Sequence, residues 1–432
     1  MTHILVKGAI VVAMDDQKRV IPNCDVLIED DRIKAVGNTG NFNVPPDVEE
    51  IDGSRKAVLP GLINGHTHAA MTLFRGYADD LALDEWLKTK IWPLEAMINA
   101  DDVYWGTMLA IVEMLKGGTT CFADMYFYAD DIARAVDESG IRASICGALL
   151  GTLPTAGKDL EDAIRFVKEY KKEDSRITAV FGPHALYTCT IDHLKKIAAS
   201  AKELGARVHL HLLETKNERQ DIVALNGKQP FEVLSESGLL EVPILAAHSI
   251  YLTEEELEIA KAHDLTPVHT PGSNLKLASG IAPVWRYDEA GITAGLGTDG
   301  AASNNNLDMF EEARLAALIH KVDRFDPTLV SAHEALEMAT RGGAKALGLD
   351  DRIGRIEEGM KADLIMIDLD KPHLTPLHDV EANLVYSASA ADVSDVIVDG
   401  KVLMRNRELT TIDEEAVMRK AAEVAKDLVK RN

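Results

Sequence analysis

The sequence predicts an α/β protein: a (β/α)8 TIM-type barrel over residues 59–359, carrying a small β-sandwich domain formed by both chain termini, residues 1–58 and 360–432. Three observations predict it. Strand-like and helical runs alternate eight times over roughly 290 residues, an ordinary length for such a barrel. Purely β texture stands before and after that stretch. No GxGxxG opens a helix, which sets aside a doubly wound open sheet.

Taken in order, "HILVKGAIVVAM" (3–14) and "DVLIEDDRIKAVG" (25–37) read as strands, the second folded on an Asp-Asp turn. The barrel strands follow: "GLINGHTH" (61–68), "GTTCFADM" (118–125), "RASICGALL" (142–150), "ITAVFGPHAL" (177–186), "ARVHLHLLE" (206–214), "PILAAHSIYL" (243–252), "LTPVHTP" (265–271) and "ITAGLGTDG" (292–300). Between them "DDVYWGTMLAIVEMLKGG", "IDHLKKIAASAKELG" and "TEEELEIAKAHD" are apolar at three-to-four spacing and read as helices. "KADLIMIDLD" and "VSDVIVDGKVLMRN" return to strands, the latter a hairpin on Asp399-Gly400. The last segment is a helix, with Thr411 and Glu414 spaced as a capping box. Strands at both ends of a chain need partners, so the economical arrangement pairs them with each other.

The charge is −24 over 432 residues. That argues against nucleic acid and anionic membrane as partners, since both want a basic face. No apolar run reaches the ~20 residues of a membrane span. "MTHILVKGAIVVAMDD" lacks the basic leader and cleavage site of a signal peptide. Cys24, Cys121, Cys146 and Cys189 form no CxxC pair, which argues against disulfides and a thiolate zinc site and fits a reducing cytoplasm. Nothing in the sequence decides whether the chain forms a homo-oligomer.

Barrel enzymes place their chemistry at the C-terminal ends of the strands, and the unusual polar residues collect there. Alternation puts His66 and His68 on one strand face, about 7 Å apart, a span from which two imidazoles can converge on one ion. The fifth strand ends with His209, His211 and Glu214, the sixth with His248, the fourth with His184, and the eighth with Asp299 in "GTDG". A lone histidine on an apolar strand is an ordinary hydrogen-bonded core residue, and a lone GTDG an ordinary turn. Five of eight strands ending this way at one mouth point instead to a nitrogen/oxygen metal site that leaves a position open for water. Such a set suits zinc and also accepts iron, nickel or manganese.

"PGLINGHTH", "HLHLLET", "HTPGSNLKLASGIAPV", "GLGTDGAASNNNLDMF" and "GRIEEGMKADLIMID", in this order, resemble the amidohydrolase superfamily. Within it they are similar to methylthioadenosine/S-adenosylhomocysteine deaminases and related 5′-modified-adenosine deaminases. The resemblance spans essentially the whole chain. It implies one divalent ion, most simply Zn2+, held by His66, His68, His211 and Asp299. No lysine stands at a strand end to bridge a second ion as a carbamate. It implies Glu214 beside the purine N1, His248 beside the attacking water, His184 against the purine ring, Glu95 on the ribose hydroxyls, and Trp86 and Ser303 near the substrate. On this reading Asp299 takes the proton of the water and Glu214 protonates N1. Read from composition alone, Glu95 fits a solvated helix residue and Trp86 the core. His209 reads as structural, deeper on the same strand.

One departure stands out. Relatives that handle S-adenosylhomocysteine carry arginines after the third barrel strand, where this chain reads "SICGALLGTLPTAGKDLED"; its nearest cations are Arg142 and Lys158. The alternatives are a guanine or pterin deaminase or an s-triazine hydrolase, with the same metal and base, and a non-catalytic scaffold of the same fold.

Overall fold

The computed structural model describes residues 2–431 apart from 39, 82 and 173, with the backbone alone at 83 and 84. The chain opens with β1 (His3–Val12), β2 (Val20–Glu29), β3 (Arg32–Asn38), β4 (Glu49–Asp52) and β5 (Lys56–Pro60). β1, β2 and β3 form an antiparallel meander, and β4 and β5 both lie parallel to β1. Then come β6 (Leu62–Thr67), β7 (Thr119–Tyr126), β8 (Arg142–Leu149), β9 (Ile177–Ala179), β10 (Gly182–Pro183), β11 (Val208–Leu212), β12 (Ile244–His248), β13 (Leu265–His269) and β14 (Gly295–Leu296). The chain closes with β15 (Leu364–Asp368), β16 (Val393–Val398), β17 (Lys401–Arg405), β18 (Glu408–Leu409) and a helix, Glu414–Arg431.

The first and last strands share one nine-stranded sheet, because β5 pairs antiparallel with β15 from Pro60↔Leu364 to Lys56↔Asp368. Period-two alternation gives this sheet two apolar faces. Val58, Leu364 and Met366 pack with Val6 and Val26 on one side, while Leu59, Ile365 and Ile367 join the large central core on the other. The β16–β17 hairpin turns on Asp399 and Gly400, both at positive φ (52° and 72°), as a two-residue primed turn requires.

The middle strands run parallel in two sheets, β10-β8-β7-β6 with β9 on β8, and β11-β12-β13-β14. β7 is buried at all eight residues, as expected for a parallel strand covered on both faces. The sheets meet at both edges. The Phe181 and Arg207 backbones bond at 3.0 Å, and the His211 N–H reaches the His184 carbonyl at 3.0 Å. On the far side the Asp299 N–H donates to the His66 carbonyl at 2.9 Å. Gly61 admits the close approach of β6 to β7, since a Cβ there would lie 1.9 Å from Thr120 Oγ1.

Two sequence expectations change. The fourth run splits into β9 and β10, with Pro183 ending the second piece. The last helix is not capped by Thr411. That hydroxyl donates to the Ser139 carbonyl at 2.7 Å, and Asp413, two residues further on, accepts the Ala416 N–H at 3.0 Å. Among the described residues no helix is long and apolar enough to cross a membrane.

Candidate active site

The tips of β6 and β11 and the segment after β14 bring His66, His68, His211 and Asp299 together. Each histidine is anchored through Nδ1. His68 reaches the Met125 carbonyl at 2.6 Å, His211 the His184 carbonyl at 2.7 Å, and His66 the Nε2 of His209 at 2.8 Å. A ring that donates from Nδ1 presents a bare Nε2 lone pair, the form a cation needs. The Nε2 atoms converge. His66 and His68 stand 3.5 and 3.3 Å from Asp299 Oδ1, and His68 and His211 stand 3.3 Å apart.

These separations test whether an ion fits. Tetrahedral ligands at ~2.1 Å from an ion lie about 3.4 Å from one another. His66 Nε2 is buried without a hydrogen-bond partner, although it faces an aspartate. A divalent ion satisfies both observations, so these four residues could hold one.

Asp299 sits at φ 62°, a conformation that aspartate tolerates better than most side chains. Gly300 N–H donates to its Oδ1 at 2.8 Å, and the Ser273 and Ser303 hydroxyls donate to Oδ2 at 2.6 and 3.0 Å. Its second oxygen is therefore not free: it is the point where two hydroxyls meet. Burial alone would raise this carboxyl, but the close approach of His66 and the surrounding His68, His66 and His248 rings hold it well below the usual range. Burial lowers His66 to about 4.

Beside the four-residue cluster, with a ring nitrogen within 4.8 Å of those of His66 and His211, His248 donates from Nδ1 to Asn274 Oδ1 at 2.9 Å, which turns its Nε2 toward Glu214 Oε2, 3.9 Å away. Burial opposes charge on His248, yet the Glu214 and Asp299 carboxylates raise it above its ordinary value. Burial raises the Glu214 carboxyl, the His248 charge opposes this, and Asp299 adds to it, so Glu214 retains its proton to higher pH than an exposed glutamate.

All of this opens on one cavity of about 1100 Å3. His68, His211, Glu214, His248 and Asp299 line its floor, and Trp86, Glu95, His184 and Ser303 also face it. Every sequence-predicted site residue except His66 lines the cavity; His66 lies beneath it, fully buried. Glu95 is not a solvated helix residue. It stands beside the Tyr126 hydroxyl, and burial pushes its carboxyl up to about 7. Trp86 is buried and donates from Nε1 to the Ala78 carbonyl at 3.0 Å. His184 is tethered to Thr188 Oγ1 at 3.2 Å, and burial lowers it to about 3.

The cations near the third strand are both engaged. Arg142 starts β8, at the opposite end from the cavity, and is locked to Asp363 at 2.7 and 3.0 Å. Lys158 lines the outer cavity, paired with Asp162 at 2.6 Å. Arg165 also lines it, bound to Asp130 at 2.6 Å and Glu169 at 3.1 Å.

Sequence reasoning gave no part to Ser273, Asn274 or Glu218. The first two lie in the motif "HTPGSN", whose polar residues were a signal; nothing in the spacing of Glu218 marks it. His209 contacts His66 directly rather than serving the core alone.

Three histidines and an aspartate converge on one point, His248 brings a ring nitrogen within 4.8 Å of those of His66 and His211, and the Glu214 carboxyl stands next to it; together they define the site of a metal-dependent hydrolase. The chain belongs to the amidohydrolase family, whose model matches residues 57–403. It is 48% identical to a 5-methylthioadenosine/S-adenosylhomocysteine deaminase of Pelotomaculum thermopropionicum, over 100% of both chains. It is 47% identical to a 5′-deoxyadenosine deaminase of Methanosarcina acetivorans, over 100% of this chain and 99% of that one. Among solved structures it is similar to an adenosine deaminase from Xanthomonas campestris with bound zinc, at 37% identity, TM-score 0.95 and 99% coverage of each chain.

Proposed function

We propose that this protein is a hydrolytic deaminase that converts a 5′-modified adenosine to the inosine analogue and ammonia. The observation that carries the proposal is the convergence of His66, His68, His211 and Asp299 at the floor of one cavity, with His248 and Glu214 beside them. We read the two parallel sheets as halves of one (β/α)8 barrel over residues 59–359, and the nine-stranded sheet as the small β-sandwich domain of both termini. Four free, buried cysteines support a reducing compartment such as the cytoplasm.

His66, His68, His211 and Asp299 would hold the ion, most simply zinc. Bound there, it lowers the pKa of a water toward ~7 so that the water can attack at neutral pH. The residues of the chain do the rest. Asp299 accepts a proton from the water at Oδ2, where the Ser273 and Ser303 hydroxyls reverse to accommodate it. Glu214, protonated, delivers its proton to N1 as the C6–O bond forms. His248 holds the new hydroxyl in line and relays its proton back to Glu214, restoring the acid. The C6–N bond breaks as the proton on Asp299 passes to the amino group, and ammonia leaves. Glu95 binds the ribose hydroxyls, His184 the purine and Trp86 the substrate wall, fixing C6 over the attacking oxygen. A ribose-binding carboxylate in the same cavity favours a nucleoside over a bare guanine, pterin or triazine ring.

The 5′ preference follows from the outer cavity. Its cations, Lys158 and Arg165, stand on the exposed rim and are already paired with carboxylates there, so they offer an incoming carboxylate only a weak, screened attraction. Methylthioadenosine and 5′-deoxyadenosine should therefore outrank S-adenosylhomocysteine in kcat/KM. Competition among the three in one reaction, followed for ammonia and for each product, tests this. If S-adenosylhomocysteine is consumed first, the preference is wrong; if none is consumed, the deaminase reading is wrong.

A further inference from the structure

Beyond the residues that face the substrate, the geometry points to Glu218 as a positioning residue that holds Glu214 in its proton-delivering place through the backbone. This rests on the proposed role of Glu214. Where β11 ends, Leu213 takes φ 51°, a left-handed conformation that a leucine adopts only under constraint. The kink turns the chain so that Glu214 faces the cavity instead of continuing the strand. Glu218, the first residue of the helix Glu218–Asn226, folds its side chain back over that kink. One oxygen accepts the Leu213 N–H at 2.8 Å and the other the Glu214 N–H at 2.6 Å.

Glu218 is buried, so water cannot replace these bonds. A carboxyl group spanning two consecutive N–H groups, one on each oxygen, fixes both peptide planes. The opposite side of the kink is held by other groups: the Ile250 N–H bonds the Leu213 carbonyl at 3.1 Å, and the Ser249 N–H the Leu212 carbonyl at 2.9 Å. The strand that presents His211 is thus secured by its ladder, while the Leu213–Glu214 peptide is held at its carbonyl by the Ile250 and Tyr251 N–H groups and at its N–H by Glu218. Glutamine at this position would keep one acceptor and set an amide N–H against the second donor; alanine would lose both.

The test is a set of variants of the full-length, metal-loaded protein. In Glu218→Ala, kcat should fall about 10- to 100-fold with KM within about 3-fold, the scale of a misplaced catalytic group. Metal content should remain that of the parent. Glu218→Gln should fall less, since one bond survives, and it makes the same comparison if the alanine variant does not fold. The decisive measurement is made in a Glu214→Gln background, where removing Glu218 should change kcat by less than about 3-fold, because residues that act as a unit are not additive. A full multiplicative loss in that background overturns the inference, as does an unchanged kcat in the single variants. If Glu214→Gln itself retains full kcat, the role of Glu214 is wrong, and Glu218 falls with it; if Glu214→Gln is impaired and Glu218→Ala is not, the role of Glu218 alone is wrong.

Discussion

Replacing His209 with leucine keeps most of the side-chain volume and removes the nitrogen that His66 Nδ1 meets at 2.8 Å. Both rings are buried, so no solvent takes its place. In the metal-free protein the loss is smaller. His66 can shift its proton to Nε2, where Asp299 Oδ1 stands 3.5 Å away. With an ion on Nε2 that escape is closed, and Nδ1–H is left buried without an acceptor. An unsatisfied buried donor costs about 1–3 kcal/mol. The cost therefore falls on metal binding: affinity should drop roughly 5- to 150-fold, at 1.4 kcal/mol per tenfold. Zinc titration against a competing chelator measures it, with the melting temperature of the apo-protein as the control. His209→Gln, which offers a carbonyl oxygen, should recover part of the loss. An affinity within twofold of the parent for His209→Leu refutes the reasoning, and so does an apo-protein that melts far lower.

Other outcomes follow from the same geometry. His211→Ala should lose metal and activity together, and a metal-free variant that stays active would count against the site. Glu214→Gln should keep its metal while kcat falls by a factor of about 10² to 10⁴, as measured by steady-state ammonia release. Because burial raises the Glu214 carboxyl, its donor form persists above the ordinary glutamate range and is lost as pH rises through the folded-state pKa; kcat should decline on that alkaline side. Burial also pushes Glu312 up to about 8, so its share of apo-protein stability is present below the unfolded value near 4.5 and lost as pH rises through about 8. Thermal melts from pH 5 to 9 should show that decline, and Glu312→Gln should flatten it. Deleting residues 365–432 should expose residues 1–55 to protease, because β5 and β1 lose the strands beyond them; a protected N-terminal segment would contradict this.

The strands with alternating or continuous apolar residues were legible, because burial on one or both faces writes a period into the sequence. β7 and β8 match the expected runs closely. Where the backbone leaves regular geometry, the period stops informing. The eighth run keeps only Gly295–Leu296 as strand, and Asp299 is delivered by a left-handed step beyond it. The metal-ligand candidates were legible because histidines at apolar strand ends are chemically out of place. Residues that act through them were not. Ser273 and Asn274 look like the start of a polar helix, and Glu218 like an ordinary acidic first turn, since the side chain's reach backward over four residues leaves no mark in composition. Thr411 and Glu414 have the spacing of a cap, but the competing carbonyl of Ser139 comes from a distant part of the chain.

The pairing of β5 with β15 joins residues made far apart in time. About 300 residues separate them, and at ~5–20 residues per second a ribosome needs roughly 15–60 s to supply the second strand after the first. Throughout that interval β5 is an open sheet edge, a template on which nascent chains aggregate. Its first residue, Lys56, places a charge on that edge while it waits. Once the C-terminal strands arrive, the same ammonium closes on the buried carboxylate of Asp395 at 2.6 Å. In the folded protein this pair fastens the first and last parts of the chain to each other. A neutral residue at 56 should lower the yield of soluble protein made in cells by more than it lowers the stability of what does fold.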